Sequence, residues 1–546
     1  DIEGDIGTNK VVINVDTADY EPVVRGRMVE LSYLEGKSLT ITPQKWRRGP
    51  FTLGPCMWWD ISQFYGKLGL NAASQKYLNK SKIEKCFDGS ILDASRFDEA
   101  DYRDYYREDI DTYAIQDAVL TGELARLKRE DFVQNHIRFI RPYSVANVAQ
   151  RNLLDICDIP TVNGYKTPAL RRILQESLSA YRGGWFETTG SGYHEAITSV
   201  DLASAYPYTL YHLPDINNRE SMWFSGDGGR EFLDWLDNRT PMSIGFCEAY
   251  FLFEPNMRWH PLAVKSDTGT IVTPRMVRGW FTADEVAEAL KWPLRGFQLG
   301  RWTYFDEAEP TQPFKPFIER FYNLKMSAAQ EGDSTKYGVS KVLLNSIYGK
   351  TIQAVNDKAG TLWNPMYAAT VTGATRSRIA ELVRVNDFTA LGVATDGVMF
   401  ASEDLRRIPN RPLPAPHNLG QWELEMEGEL LSLMSGVYSI RDEKQVKTTF
   451  RGSASYFLRD YRERGTFGFC ADNHTKSSLT TSIRRPYSAK EARMKGDMTL
   501  MNVFAPHDYT IRPVGDSTKR LWSESLPVHF GDLLERWWPS YPHQQV

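Results

Sequence analysis

Three stretches carry residue types that could together do chemistry on a phosphate. In Asp201-Leu202-Ala203-Ser204-Ala205-Tyr206-Pro207 a carboxylate follows the apolar, β-prone run Ala196-Ile197-Thr198-Ser199-Val200. An acid at the end of a buried strand can hold a divalent cation, and the Tyr-Pro pair can turn the chain so that an aromatic ring faces the same cleft. In the stretch 341–350, Lys341, Asn345 and Tyr348 are spaced i, i+4 and i+7, which puts them on one helix face, where an ammonium suits a triphosphate and a ring suits a base. In Leu391-Gly392-Val393-Ala394-Thr395-Asp396-Gly397-Val398-Met399-Phe400 the acid is Asp396. An acid, then a basic and aromatic helix, then a second acid is the order that metal-assisted nucleotidyl transfer requires.

Other residues of chemical interest need their own supports. Tyr113 and Asp117 stand four apart on an amphipathic pattern and so share a helix face. Tyr181-Arg182-Gly183-Gly184 pairs two glycines, which allow close backbone approach, with a Tyr and an Arg that could meet phosphate. The supporting elements follow from pattern. Strands are expected around 25–31, 58–61 and 245–253, and helices over much of 120–180 and 281–290, the last with a capped start. Two helices are expected over 314–348, broken at Glu331-Gly332-Asp333.

Composition bounds these readings. A chain of 546 residues with 42% hydrophobic and 25% charged residues is globular and large enough for three or more structural units. No run approaches the length of a membrane span and no charged-then-apolar leader is visible, so neither a membrane partner nor a signal peptide is expected. The chain opens on Asp1 rather than Met, so a preceding residue or segment is expected to be missing. Five scattered cysteines without a Cys-x-x-Cys spacing favour a reducing, cytoplasmic setting. A net charge of −4 argues mildly against nucleic acid as a partner; clusters such as Lys45-Trp46-Arg47-Arg48 and Arg484-Arg485-Pro486-Tyr487 argue for it locally.

The three leading stretches resemble motifs A, B and C of family B DNA polymerases. Motif A, Asp-x-x-Ser-Leu-Tyr-Pro, is matched except for Ala205; motif B, Lys-x-x-x-Asn-Ser-x-Tyr-Gly, is matched throughout. Motif C, Asp-Thr-Asp-Ser, departs at Ala394 and Gly397 but keeps Asp396. Asp1-Ile2-Glu3 resembles the first exonuclease motif and Tyr113 with Asp117 the third; the second has no match. Tyr181 to Gly184 resembles the family's template-contacting Tyr-x-Gly-Gly. Gly436-Val437-Tyr438 stands where the family has Lys-x-Tyr, so only Tyr438 carries over. Lys447-Thr448-Thr449-Phe450-Arg451-Gly452 resembles the motif that grips the primer-template duplex.

The resemblance is nearest to the protein-primed phage, viral and mobile-element branch. It implies an α+β multidomain fold: a right-hand polymerase of palm, fingers and thumb with an N-terminal RNase H-like exonuclease domain. The expected boundaries are 1–135 for the exonuclease-like domain, 136–195 for a helical connection, 196–212 with 350–452 for the palm, 213–312 for a palm extension with a terminal-protein-region-like insertion, 313–349 for the fingers and 453–546 for the thumb. The implied activity is DNA-directed addition of deoxynucleotides to a primer 3′-hydroxyl, with two Mg²⁺, or Mn²⁺, at Asp201, Asp396 and the Leu202 backbone. Tyr206, Lys325, Lys341, Asn345 and Tyr348 would meet the nucleotide. Tyr181, Arg182, Gly183, Gly184, Tyr438, Lys447, Arg451 and Gly452 would meet DNA. Asp1, Glu3 and Asp117 would hold the exonuclease metals, with Tyr113 beside them. Implied partners are primer-template DNA, deoxynucleoside triphosphates and a terminal or accessory protein, in a host cytoplasm. Ala394 and the Lys missing at 436 keep two alternatives open: a DNA-binding protein on an impaired polymerase fold, and a nuclease with only its N-terminal site active.

Overall fold

The structure is a computed structural model. It describes the backbone of six short strands within residues 1–55 and, apart from short breaks such as 160–167, 266–270 and 410–418, residues 56–450 and 479–511. The chain divides into two compact units, Asp1–Cys157 with Arg320–Ile347, and Asp158–Glu319 with Tyr348–Val546.

The first unit opens with strands β1 (Ile2–Gly4), β2 (Lys10–Asn14), β3 (Met28–Leu34) and β4 (Ser38–Pro43), a small hairpin of β5 (Arg47–Arg48) and β6 (Phe51–Thr52), and β7 (Cys56–Trp59). They pair in the order β1-β2-β3-β4-β7, each pair antiparallel. Helices α1 (Leu70–Leu78), α2 (Ala100–Tyr105), α3 (Arg107–Gln134) and α4 (Val145–Ile156) follow. Leu120, Leu124, Lys128 and Phe132 form the buried stripe of α3, four residues apart, and the Tyr65 hydroxyl donates to the Leu124 carbonyl at 2.6 Å. Lys128 lies in that stripe because its ammonium has company: the Tyr65 ring at 4.8 Å and Asp131 at 3.4 Å. Burial pushes its pKa down, and Asp131 and Asp333 oppose that shift. Ser144 caps α4 by accepting from the Asn147 amide.

The second unit begins with α5 (Pro168–Ala180), β8 (Trp185–Thr188), β9 (Gly192–Leu202), α6 (Ala205–His212), β10 (Ser221–Phe224) and α7 (Gly229–Asp237). It continues through β11 (Gly245–Phe253), the short pair β12 (Val264–Lys265) and β13 (Ile271–Val272), β14 (Met276–Thr282), α8 (Ala283–Ala289) and β15 (Leu294–Phe305). Next in the chain are the two helices expected from pattern, α9 (Lys315–Glu331) and α10 (Ser334–Lys350), most of which belong to the first unit. Gly332 adopts φ +71°, and the Asp333 carboxylate accepts from the amides of Thr335 and Lys336 at 3.0 and 2.9 Å. The break thus ends one helix on a glycine and caps the next on an aspartate.

After the hairpin of β16 (Ala354–Val355) and β17 (Lys358–Ala359), helix α11 (Pro365–Val385) leads to β18 (Gly392–Thr395), β19 (Gly397–Ala401), β20 (Trp422–Met434), β21 (Val437–Arg441) and β22 (Val446–Phe450). These strands make a seven-stranded sheet in the order β22-β21-β20-β9-β19-β18-β8. Sixteen residues of α11 are buried, since it passes through the core rather than over it. A second sheet, β10-β15-β11-β14, shares that core: Phe251, Phe281 and Trp302 belong to one cluster with Val200, Leu202, Val398 and Phe400. Most of the stretch 213–312 is therefore integral to the core that carries the Asp201 strand. Of the expected thumb, the hairpin of β23 (Leu479–Pro486) and β24 (Phe504–Ile511) and a helix at Ala489–Met494 are described; 451–478 and 512–546 lie outside the described residues.

α8 and α11 meet at a glycine. A Cβ on Gly373 would collide with Thr282 Oγ1 and stand 2.8 Å from its Cγ2. Thr282 is the N-cap of α8, in a capping box with Glu285, so it cannot move aside without uncapping the helix. Gly373→Ala is expected to destabilise the fold by about 1–3 kcal/mol, the usual range for overpacking, read as a lower urea midpoint. An unchanged midpoint would show that the helices can part at that crossing.

Candidate active site

β9, β18 and β19 bring the two acids of the second unit together. Asp201 lies directly across from Gly397 in the β9–β19 ladder, and β18 and β19 form a hairpin closed by the Ala394–Gly397 pair, with Thr395 and Asp396 as its two turn residues. The Leu202 amide donates to the Asp396 carbonyl at 2.9 Å, which docks the turn on the residue after Asp201. Gly397 has a local reason: a Cβ there would lie 3.1 Å from Asp201 Oδ1 and crowd the carboxylate. Leu202 itself is buried in the core, so only its backbone is available as a ligand. Ala394 packs at the edge of a small cluster of Ile197, Met399, Met426, Leu430, Tyr438 and Ile440. The first acid of the family's motif is thus replaced by an apolar edge contact.

Two non-glycine residues hold left-handed conformations beside these acids, Ser204 at φ 52° before α6 and Thr395 at φ 69° in the turn. A β-branched residue is disfavoured there, and hairpin turns of this length usually place glycine at such a position. α6 then presents Tyr206, whose ring lies 4.4 Å from the Tyr348 ring at 43°. The Tyr348 and Tyr181 hydroxyls share a hydrogen bond of 2.9 Å. Burial, then the Tyr181 bond, pushes the Tyr348 pKa well above the usual phenol range.

Tyr181 opens the double-glycine loop, and the loop corrects one expectation. Arg182 does not face outward to meet phosphate: it is buried, donates to the Ala180 and Trp280 carbonyls at 2.8 and 2.7 Å, and stacks 4.6 Å from the Phe281 ring. Burial lowers its pKa to about 10, with Glu285 opposing and Arg376 adding to the shift. An arginine next to two glycines reads as a phosphate ligand by type; only the packing of β14 shows that it is a structural cation. Gly183, at φ +72°, offers its carbonyl to Arg376, and Gly184 runs against Thr395 and Tyr206.

On the other side of Asp201, β20 places Glu423 directly opposite it, a neighbour that sequence spacing did not reveal. Glu425 accepts from the Ser199 hydroxyl at 2.9 Å and pairs with Lys447. Burial alone would lower the Lys447 pKa; Glu425, with Tyr438 and Asp201, more than offsets this and the net shift is upward. Lys447 is therefore a charged group within the electrostatic reach of Asp201. Tyr438 is buried in the small cluster, while Arg451 and Gly452 lie outside the described residues.

α10 exposes Lys341 and Asn345 and buries Leu343, Leu344 and Ile347, whereas Tyr348, expected on the face of Lys341 and Asn345, is only half-exposed. The Lys325 ammonium on α9 lies 5.3 and 5.7 Å from the rings of Tyr322 and Tyr337. Tyr113 and Asp117 do share a face of α3, and they share a partner: the Lys82 ammonium is 2.6 Å from each. Burial would lower the Lys82 pKa, but the Asp117 and Tyr113 bonds outweigh it and hold the group charged. Nothing near Lys82 in sequence signalled this, since its partners are 31 and 35 residues away. Beside Asp117 opens a cavity of about 1020 Å³ lined by aromatic residues, Trp59, Phe64 and Phe139, and by Arg126 and Arg129. Asp1 lies outside the described residues, and of Glu3 only the backbone, in β1, is described.

Among the described residues no group of three or more His, Cys, Asp or Glu converges as a metal cage. Asp201, Asp396 and the Leu202 carbonyl are hard oxygen donors too few for a cage. That set fits Mg²⁺, which binds through one or two carboxylates and completes its shell with water and substrate phosphates. The second pair of donors differs: Asp117 Oδ2 is taken by Lys82, whereas Oδ1 is buried without a partner among the described residues, a position that a cation could satisfy.

The family model for type B DNA polymerases of the organellar and viral kind matches residues 75–374. Among curated proteins, the chain is similar to a DNA polymerase of Acidianus bottle-shaped virus, 23% identical over 414 residues, or 72% of this chain and 58% of that protein. It is also similar to a primer-independent DNA polymerase of Escherichia coli, 25% identical over 179 residues, covering 29% of this chain and 20% of the relative. The chain thus spans under two thirds of these relatives' lengths. Among solved structures, phi29 DNA polymerase with single-stranded DNA has a TM-score of 0.54 at 14% identity, and its orthorhombic crystal form has 0.56. Each comparison covers 87% of this chain and 83% of the other. The shared fold is the right-hand α+β fold of palm, fingers and thumb.

The turn geometry generates a stability test. The left-handed region costs a non-glycine residue roughly 1–2 kcal/mol, and glycine gives back part of that in the unfolded chain. Thr395→Gly is therefore expected to raise the denaturation free energy by about 0.5–1 kcal/mol. A fall instead would show that the Thr395 side chain's contact with Gly184 outweighs the strain.

Proposed function

We propose that this chain, which belongs to the organellar and viral type B DNA polymerases, extends a DNA primer by adding deoxynucleotides to its 3′-hydroxyl, with Asp201 and Asp396 as the catalytic carboxylates. The observation that supports this most directly is the docking of the Asp396 turn, by its backbone carbonyl, on the amide of the residue after Asp201, with glycine at 397 leaving room for the Asp201 carboxylate. Two bound Mg²⁺, or Mn²⁺, would supply activation of the primer hydroxyl and neutralisation of the leaving pyrophosphate.

The chain's own residues take the remaining roles in this reading. Asp201, Asp396 and the Leu202 carbonyl would hold the cations. The Tyr206 ring, backed by Tyr348, would exclude a ribose 2′-hydroxyl by contact. Lys341 and Lys325 meet triphosphate charge, and Asn345 completes that helix face. The backbone of Gly183 and Gly184, Tyr181 and Lys447 bear on the nucleic acid; Tyr438, Arg451 and Gly452 are assigned to DNA by resemblance alone. Lys447 also brings a positive charge to an otherwise acidic sheet face. Initiation from a terminal protein, and a host-cytoplasmic location, follow from resemblance only; among the described residues no helix is long and apolar enough to cross a membrane.

A second activity has its own support. The orphaned Asp117 Oδ1, beside a cavity lined by aromatic rings and arginines, suits a metal-dependent 3′-to-5′ exonuclease acting on a single-stranded end, with Asp1 and Glu3 as further ligands.

The test is extension and shortening of a labelled primer on a single-stranded template, with and without a terminal protein. Losing one carboxylate removes several kcal/mol of transition-state stabilisation. Asp396→Asn is expected to lower kcat for incorporation by about a thousandfold, with template binding retained and strand shortening unaffected. Asp117→Asn should abolish shortening alone. Binding without extension by the unaltered chain would sink the polymerase reading and leave the DNA-binding alternative. Shortening that survives Asp117→Asn would remove the exonuclease assignment.

A further inference from the structure

A fully buried ion pair lies behind the proposed nucleotide site and has no part in the mechanism above. Glu285 and Arg376 have side chains 0% and 3% exposed. Arg376 directs Nε and Nη2 at Glu285 Oε1, at 3.0 and 2.8 Å. Glu285 Oε2 accepts from the Thr282 amide and hydroxyl at 3.1 and 3.0 Å. The carboxylate is thus clamped by a helix cap on one side and a guanidinium on the other. The remaining arm of Arg376, Nη1, donates to the Gly183 carbonyl.

That bond reaches the proposed site in one step of chain. Gly183 holds a left-handed conformation, and at the next residue a Cβ would come within 3.0 Å of Thr395 Cγ2, 3.2 Å of Thr395 Oγ1 and 3.2 Å of the Tyr206 hydroxyl. Gly184 therefore presses its bare backbone against the strained turn that carries Asp396 and against the ring assigned to sugar discrimination. Tyr181, at the start of the same loop, bonds Tyr348, which backs Tyr206. We infer that Arg376, held by Glu285, is a positioning residue that sets the depth of the Gly183–Gly184 loop and through it the position of Tyr206, so that this buried pair determines how strictly the enzyme selects deoxyribonucleotides over ribonucleotides. The inference rests on the polymerase reading. Lysine cannot reproduce the three-pronged bond of a guanidinium, so the loop loses its anchor while the buried charge is kept. A misplacement of about 1 Å at a reacting site can cost on the order of a hundredfold in rate.

The experiment compares the unaltered chain with Arg376→Lys, Gly184→Ala and the double variant, measuring kcat/KM for one deoxynucleoside triphosphate and its ribonucleotide counterpart, with thermal midpoints alongside. The expected result for each single variant is a fall of about tenfold in the deoxy-over-ribo ratio, and for the double variant much less than the product of the two, because both act through one loop. Should Arg376→Lys fail to fold, Arg376→Gln, which removes the bridge between Glu285 and the Gly183 carbonyl in a different way, takes its place beside Gly184→Ala. An unchanged ratio in the folded variants, or independent effects in the double variant, overturns the inference while leaving the polymerase reading intact. An unaltered chain that incorporates neither nucleotide overturns both.

Discussion

The candidate polymerase centre depends on one backbone hydrogen bond, from the Leu202 amide to the Asp396 carbonyl. The bond fixes which residues lie next to one another: β9 and β19 pair in register, the hairpin turn that carries Asp396 docks on the residue after Asp201, and glycine at 397 leaves room for the Asp201 carboxylate. The hydrophobic core beneath, with Val200, Leu202, Val398 and Phe400 in one cluster, supplies the stability that holds this register.

The same economy of side chains governs the loop above it. Gly183 and Gly184 are needed because a backbone, not a side chain, has to lie against Thr395 and Tyr206. What fixes such a bare segment must come from outside it, and the buried pair of Arg376 and Glu285 does so from two helices, α11 and α8, which themselves touch at Gly373. Breaking one partner of a buried pair leaves an uncompensated charge, commonly about 3–5 kcal/mol. Stability and placement are therefore linked at this point.

Charge is distributed locally rather than overall. The chain carries a net charge of −4, and β20 adds Glu423 and Glu425 to the face that bears Asp201. Lys447 sits within that acidic field and is kept charged by it, and Lys82 is kept charged between Asp117 and Tyr113. In both cases a lysine is positioned by carboxylates close to candidate catalytic acids, an arrangement that summed composition conceals.

Helical period was enough to anticipate the face shared by Lys341 and Asn345, the break at Glu331-Gly332-Asp333 and the common face of Tyr113 and Asp117, because each depends on local spacing and on backbone preferences that neighbouring residues express. The same was true of the capped helix that starts after Thr282 and of the strand at Gly245–Phe253. Tertiary structure alone decided that Arg182 points inward, that Glu423 faces Asp201, that Lys82 bonds both Tyr113 and Asp117, and that Ala394 packs on an apolar edge. Those facts depend on strand register and helix crossings between residues far apart in the chain, and an amino-acid type carries no record of which distant partner will desolvate or neutralise it.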